Sequence, residues 1–133
     1  MHQWTKDLAV GIEEIDKQHQ ALFDHANRLF AAAKQGREIT EIENVFAFLE
    51  EYATKHFNLE EAYMDRYMYS DAEVHKAKHG DFLMEFRKIK SEYRRSNAPS
   101  YIMLIIEGWL YKWMSDHFSG EDKLLGEFLK KRI

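Results

Sequence analysis

The chain has 133 residues, a formal net charge of −4 and no cysteine. This length suits one domain with a sizeable core, so we predict a single domain over residues 1–133. Scattered Lys and Arg residues without a basic face argue against a nucleic-acid partner, and the lack of Cys excludes disulfides and thiolate metal sites.

The chain opens with a segment, residues 1 to about 16, whose apolar residues follow no helical period. We predict that this segment is an arm that packs across the helices. In the first helix apolar residues recur every three or four positions, and Gly36 is expected to end it. His19 lies on the same apolar stripe and is therefore predicted to point into the core.

The second helix is expected to begin at Thr40, because Thr40 and Glu43 have the spacing of a capping box. It runs through Tyr67 and carries His56 and Glu60 on its apolar face. Residues four apart on a helix differ in direction by only about 40°, so His56 and Glu60 can hold one ion together.

The third helix is expected to begin at a second capping box, formed by Ser70 and Glu73. It carries His75 and His79 on its apolar face, again four residues apart. The only proline, Pro99, then marks the start of the fourth helix. A single pair of this kind is weak evidence, because a buried His is more often a satisfied core residue than a metal ligand.

The fourth helix leads to His117, five positions before Asp122. On a regular helix five residues turn the side chain by about 140°, away from any site that His117 faces. Ser119 and Gly120 lie between them, so we predict a distortion: either a break, with Ser119 capping a short final helix, or a π-type bulge. The final segment is expected to cover the end of the bundle with Leu124, Leu125, Phe128 and Leu129.

Four amphipathic helices with short connections predict an all-α, up-down-up-down four-helix bundle. Five aromatic residues are expected in its core: Tyr52, Tyr63, Tyr67, Trp109 and Trp113. In such a bundle, positions early in the first and third helices are level with positions late in the second and fourth. Seven candidate metal ligands therefore share one end of the bundle: His19, His56, Glu60, His75, His79, His117 and Asp122.

The composition of this set favours two metal ions. Five imidazoles and two carboxylates exceed the needs of a tetrahedral zinc site, so we predict two octahedral-type transition ions, with iron preferred. Buried imidazoles and carboxylates are costly unless they are paired or metallated. Five His residues at one level of the bundle are therefore better explained by a metal site than as separate core residues. His2 and His25 lie off the pattern and are predicted to be arm or surface residues.

The spacing of these residues resembles that of the hemerythrin family, and specifically of its bacterial hemerythrin-like members, over nearly the whole chain. The resemblance is carried by Trp4, Val10-Gly11-Ile12, Asp16-x2-His19, His56-x3-Glu60, His75-x3-His79 and Trp113-x3-His117-x4-Asp122. It implies two iron ions bridged by an oxo or hydroxo group.

By this resemblance, His75, His79 and His117 look like the imidazole ligands of one iron, and His19 and His56 like those of the other. The two carboxylates of the set look like ligands that bridge both ions. The first iron is then six-coordinate and closed, whereas the second keeps one position open.

The open position implies reversible dioxygen binding, so we predict a protein of oxygen transport, storage or delivery, not an enzyme. A carrier of this kind would supply an oxygen-consuming partner protein. The alternatives are a sensor of oxygen, nitric oxide or iron, and a di-iron oxidase-type enzyme. Oxygen-activating di-iron bundles typically use Glu-x2-His pairs, and this sequence has none. The nearest match, Asp16-x2-His19, is interpreted as a helix-start carboxylate that also contacts a ligand imidazole.

The resemblance also implies an apolar lining over the oxygen site, formed by Leu22, Phe57, Trp113, Met114 and Phe118. A dry wall slows proton entry and thereby the oxidation of iron. Met114 is a departure, because relatives commonly have Leu there and a thioether is more flexible and can be oxidised.

The localisation follows from two negative observations. The start of the chain has no basic-then-apolar signal pattern, and the longest apolar run, residues 101–106, is far too short to cross a bilayer. We therefore expect a cytoplasmic protein with no membrane insertion.

Overall fold

The computed structural model describes residues 3–133, apart from the side chains of residues 37–39, so that His2 lies outside the described residues. A 3₁₀ turn, Lys6–Leu8, precedes five α-helices: α1 (Glu13–Ala32), α2 (Glu38–Arg66), α3 (Ala72–Ser96), α4 (Pro99–Ser119) and α5 (Glu121–Lys130). Each of the four long helices packs against its neighbours in chain order, and α4 also contacts α1 and α2. The prediction of an all-α four-helix bundle with an N-terminal arm and a short final helix is confirmed. No helix in the described part of the chain is long and apolar enough to cross a membrane.

The arm is tied to the first turn of α1. The Asp16 carboxylate accepts hydrogen bonds from the backbone N–H groups of Val10, at 2.8 Å, and Gly11, at 3.1 Å. The helix begins at Glu13, earlier than the predicted end of the arm near residue 16. Gly36 lies between α1 and α2 with a φ of 84°, a conformation that a residue without Cβ adopts readily, so its predicted role as a stop is confirmed.

The two capping boxes predicted from the sequence are wrong. Helix α2 begins at Glu38, which places Thr40 inside its first turn. Asp71, and not Ser70, occupies the N-cap position of α3, and it makes no side-chain capping hydrogen bond. A short-range spacing rule cannot choose between neighbouring polar residues, because the path of the preceding loop decides which of them stands at the cap. The start of α4 at Pro99 is as predicted.

The buried face of α4 differs from the predicted stripe. Leu110 and Met114 are completely buried there, whereas Trp109 and Trp113 are half-buried at the edge of the helix. The Trp109 ring packs against Phe82 of α3, with ring centroids 4.8 Å apart. The slimmer side chains of Leu110 and Met114 occupy the narrow centre of the bundle, and the indoles of Trp109 and Trp113 cover the groove between helices. The same correction applies at the end of α2, where Met64 is buried while Tyr63 and, one residue beyond the helix, Tyr67 are half-buried.

Helix α5 closes the end of the bundle. Leu125 and Leu129 are completely buried in a cluster that includes Val10 of the arm. Leu124 is 57% exposed, so its predicted place in this layer is wrong. The close approach of arm and helix requires Gly126, since a Cβ at that position would lie 2.1 Å from the carbonyl oxygen of Val10.

Candidate metal centre

The structure brings together all seven side chains that the sequence singled out. Each of them is at most 3% exposed, although all are polar: His19, His56, Glu60, His75, His79, His117 and Asp122. They come from the four long helices and the first turn of α5, at one end of the bundle. Two overlapping groups of these residues offer ligand atoms that all lie within 4.8 Å of one another.

The join between α4 and α5 places Asp122 opposite His117. Helix α4 ends at Ser119, and Gly120 has φ −101° and ψ −97°, which is outside the helical region. The predicted distortion is therefore a break and not a π-type bulge. The Ser119 hydroxyl donates to the carbonyl oxygen of Ser115 at 2.6 Å, so the prediction that Ser119 caps the final helix is wrong.

Three imidazoles face one side of the carboxylate pair. Asp122 Oδ1 lies 2.9 Å from His75 Nε2 and 3.0 Å from His117 Nε2. Glu60 Oε1 lies 3.0 Å from His79 Nε2 and 3.5 Å from His75 Nε2. These five residues form the first half of the site.

Two imidazoles face the other side. Asp122 Oδ2 lies 2.9 Å from His19 Nε2, and Glu60 Oε2 lies 3.4 Å from His56 Nε2. The Nε2 atoms of His19 and His56 are 3.0 Å apart. Each carboxylate thus presents one oxygen to the three-imidazole half and the other oxygen to the two-imidazole half.

The spacing of these atoms fits metal ligation. In an octahedron with bonds of about 2.1 Å, adjacent ligand atoms are about 3.0 Å apart. Most of the closest separations in the site are near this value. Several of these buried atoms have no aligned hydrogen-bond partner among the described residues in spite of the short distances, including His75 Nε2, His117 Nε2 and both oxygens of Asp122. His79 Nε2 pairs with Glu60 Oε1, and His19 Nε2 with His56 Nε2, whereas the unpaired ligand atoms converge on shared points.

Two polar side chains hold the far sides of the imidazoles. Gln18 Oε1 lies 2.5 Å from His56 Nδ1, and Glu61 Oε2 lies 2.8 Å from His79 Nδ1. Such contacts fix the ring orientation and leave Nε2 free to bind a metal. Neither residue is among those predicted from the sequence to contact a ligand imidazole. Asp16, which was predicted to do so, instead accepts hydrogen bonds from the backbone of the arm. Their position in the sequence could have identified them, since Gln18 and Glu61 are each next to a candidate ligand in the chain.

The charges in the site are strongly interdependent. Burial by itself lowers the pKa of His56 and His75, but the carboxylates of Glu60 and Asp122 outweigh it and raise the pKa of each imidazole to about 9. Burial likewise raises the pKa of Glu60, yet the neighbouring imidazoles lower it to about 2. For His19 burial dominates and the pKa is lowered. The two carboxylates thus need positive charge beside them, from protons or from metal ions.

Aromatic rings cover two of the imidazoles face to face. Phe57 stacks on His79 with ring centroids 3.9 Å apart, and Phe118 stacks on His19 at 3.5 Å. Both phenylalanines are almost completely buried. They supply apolar walls on both halves of the site.

The other three residues of the predicted lining lie close by. Trp113 is half-buried and stacks on His117, with ring centroids 4.4 Å apart. Leu22 and Met114 are buried in the main core. Their role in lining an oxygen site stays a prediction.

The fold and this site define a helical bundle with a buried carboxylate–histidine centre suited to metal ions. The family profile of the Hemerythrin HHE cation binding domain matches residues 10–129. The chain therefore belongs to the hemerythrin family, as its spacing predicted.

Several curated relatives align with nearly the whole chain. The Bacteriohemerythrin of Pseudomonas aeruginosa (strain LESB58) is 34% identical over 120 residues, which are 90% of this chain and 75% of that protein. The Bacteriohemerythrin of Clostridium acetobutylicum is 25% identical over 92% of this chain and 97% of its own length. That of Methylococcus capsulatus is 27% identical over 95% of each chain.

Proposed function

We propose that this protein holds two iron ions at the buried site and uses them to bind dioxygen reversibly, for oxygen transport, storage or delivery. The observation that carries the proposal is the division of each carboxylate, Glu60 and Asp122, between the two halves of the site. A carboxylate that offers one oxygen to each half suits a bridge between two ions. The names of the relatives and the family match support the same conclusion.

The ligand assignment follows the two halves. His75, His79 and His117 would hold one ion, and His19 and His56 the other. Together with the two carboxylates and an oxo or hydroxo bridge, this set would give the first ion six ligands and the second ion five. The ion held by His19 and His56 would therefore keep one position free.

Two ferrous ions held by these residues would supply the two electrons needed for reversible dioxygen binding. The protein favours release over further oxidation in two ways. Neutral imidazoles outnumber carboxylates in the site, so less negative charge is available to stabilise high oxidation states. The rings of Phe57 and Phe118 lie directly on ligand imidazoles and exclude water, which limits the entry of protons.

The first experiment is metal analysis of the purified protein. We expect two irons per chain, and one zinc per chain would contradict the proposal. In Glu60→Ala, and separately in Asp122→Ala, both irons should be lost together, because each residue would bridge. Asp65→Ala is the matched control on α2, since that carboxylate is exposed and pairs with Lys76.

The second experiment distinguishes a carrier from the alternatives, which are a sensor and an oxidase-type enzyme. An optical spectrum is recorded in air, after deoxygenation and after readmission of air. A charge-transfer band that disappears and returns over many cycles is expected for a carrier. Irreversible bleaching, or turnover of an added reductant with oxygen, would favour an enzyme.

A further inference from the structure

The two halves of the metal centre differ in the groups behind their imidazoles. In the three-imidazole half, Oε2 of the Glu61 carboxylate lies 2.8 Å from His79 Nδ1, the ring nitrogen that faces away from the site. In the two-imidazole half, His56 Nδ1 instead contacts the amide oxygen of Gln18, at 2.5 Å. One ligand ring is therefore backed by a negative charge and the other by a neutral group.

The remaining contacts increase this difference. Glu121 Oε2 lies 3.7 Å from His117 Nδ1 and adds a second carboxylate behind the three-imidazole half, although Lys78 lies 4.0 Å from it. On the other half, His19 Nδ1 is buried and has no hydrogen-bond partner among the described residues. The Asp16 carboxylate, one turn before His19, is bonded to the backbone of the arm. Among the described residues, the carboxylates that contact the ligand rings from outside thus all lie behind the three-imidazole half.

The charge of Glu61 acts on His79 with reduced screening. The two side chains are 32% and 2% exposed, and Phe57 covers the face of the His79 ring. No Lys or Arg in the described part of the chain lies within ion-pair distance of Glu61, since the nearby Lys76 pairs with Asp65 instead. Partly buried charges are screened by salt and water less than exposed ones.

Such a charge changes the balance between the two oxidation states of an ion. A carboxylate that accepts a hydrogen bond from Nδ1–H makes Nε2 of the same ring a stronger donor to a metal. Both the stronger donor and the negative charge stabilise a ferric ion more than a ferrous one, because the ferric ion carries one more positive charge. The neutral amide of Gln18 has no such effect on His56.

We propose that Glu61 and Gln18 make the two iron ions unequal in reduction potential. The ion in the three-imidazole half is oxidised first, and the ion in the two-imidazole half, which would have the free position, stays ferrous up to a higher potential. Both residues act through an imidazole and touch neither ion. This assignment rests on the di-iron site of the proposed function. It favours the return of electrons on oxygen release, because the ion that would bind oxygen is the one that holds its electron more strongly.

The first measurement is a potentiometric titration of the iron-loaded protein under nitrogen, with ferricyanide as the oxidant. Each ferrous ion gives one electron to one ferricyanide, so two one-electron steps are expected. Glu61→Gln keeps a hydrogen-bond acceptor and removes the charge, which should move the first oxidation step to a higher potential. Gln18→Glu adds a charge, which should move the second step to a lower potential. In each variant the ratio of ferric to ferrous ion at a fixed potential should change about tenfold, equal to 59 mV for one electron.

The second measurement shows which ion is oxidised first. Azide is a small anion that can take a free position and gives a charge-transfer band only on a ferric ion. In the half-oxidised native protein the ferric ion lies in the closed half, so the band should need at least about tenfold more azide than in the fully oxidised protein. In the double variant Gln18→Glu/Glu61→Gln the order is reversed, and the two azide concentrations should be nearly equal. Loss of packing alone would not exchange the two ions.

Two variants are matched controls. Gln20→Glu adds the same charge at an exposed position of α1, close to Gln18 in the chain. Asp65→Asn removes an exposed carboxylate from α2, one turn after Glu61. Neither side chain contacts a ligand imidazole, so both potentials should stay at their native values.

Several results would overturn the proposal. If both steps move together in Glu61→Gln or Gln18→Glu, if neither moves, or if the controls move as much, the contacts behind the imidazoles do not make the ions unequal. If the half-oxidised native protein binds azide as readily as the fully oxidised protein, the order of oxidation is not the one proposed. Fewer than two irons per chain would refute the di-iron site and this assignment with it. Failure of reversible oxygen binding, with two irons and the expected potentials, would contradict the proposed function alone.

Discussion

Glu61 offers the sharpest test of how the protein supports its metal centre. Its carboxylate lies 2.8 Å from His79 Nδ1, and the side chains of Glu61 and His79 are 32% and 2% exposed. A hydrogen bond to a charged group contributes about 1.5–3 kcal/mol, and partial exposure of Glu61 reduces this to roughly 1–2 kcal/mol. Since 1.4 kcal/mol corresponds to a factor of ten, Glu61→Gln should weaken binding of one ion about five- to thirtyfold. Effects of this size are usual for residues that orient ligand imidazoles.

The assay is a competition titration of the metal-free protein against a coloured chelator, with ferrous iron under nitrogen. Glu61→Gln should weaken one of the two binding steps and leave the other near its native value, because His79 lies in only one half of the site. Asp65→Asn, an exposed carboxylate on the same helix, should bind like the native protein. Native affinity in Glu61→Gln, or equal weakening of both steps, would show that the contact does not orient His79.

Three further predictions concern stability and the apolar lining. Met114 is completely buried, so Met114→Leu should cost less than about 1.5 kcal/mol and Met114→Ala about 2–5 kcal/mol in denaturant unfolding. If Met114 lines the oxygen site, the oxygenated form should also oxidise faster in Met114→Ala, and equal decay rates would place it outside. In the metal-free protein, His56 and His75 have pKa values of about 9, above the unfolded value of about 6.5. The folded state then binds more protons, so its stability should fall as the pH rises from 6.5 to 9; a rise over that range would contradict the assignment. Acid well below pH 6.5 should instead release iron, because protons compete for the imidazoles, and the metal-free form should melt at a lower temperature.

The architecture and the seven candidate ligands could be derived from local patterns. Each candidate ligand except Asp122 lies on an apolar stripe whose period is that of a helix. The lengths of the helices then set the height of each residue in an antiparallel bundle. Helix periodicity and chain reversal are local properties, so they can be read without knowing the packing. The need for a distortion before Asp122 followed from the same geometry, because five residues do not return a helix to the same face.

Other features depended on how the helices pack. Leu110 and Met114, and not the two tryptophans, occupy the buried face of α4. The space that the three other helices leave decides which of these side chains fits there. The contacts of Gln18 and Glu61 with imidazoles join residues 38 and 18 positions apart, and nothing in a single helix specifies them. The division of each carboxylate between two groups of imidazoles is likewise a relation among five elements. Such relations are set by the distances between helices, and those distances come from the packing of the whole core.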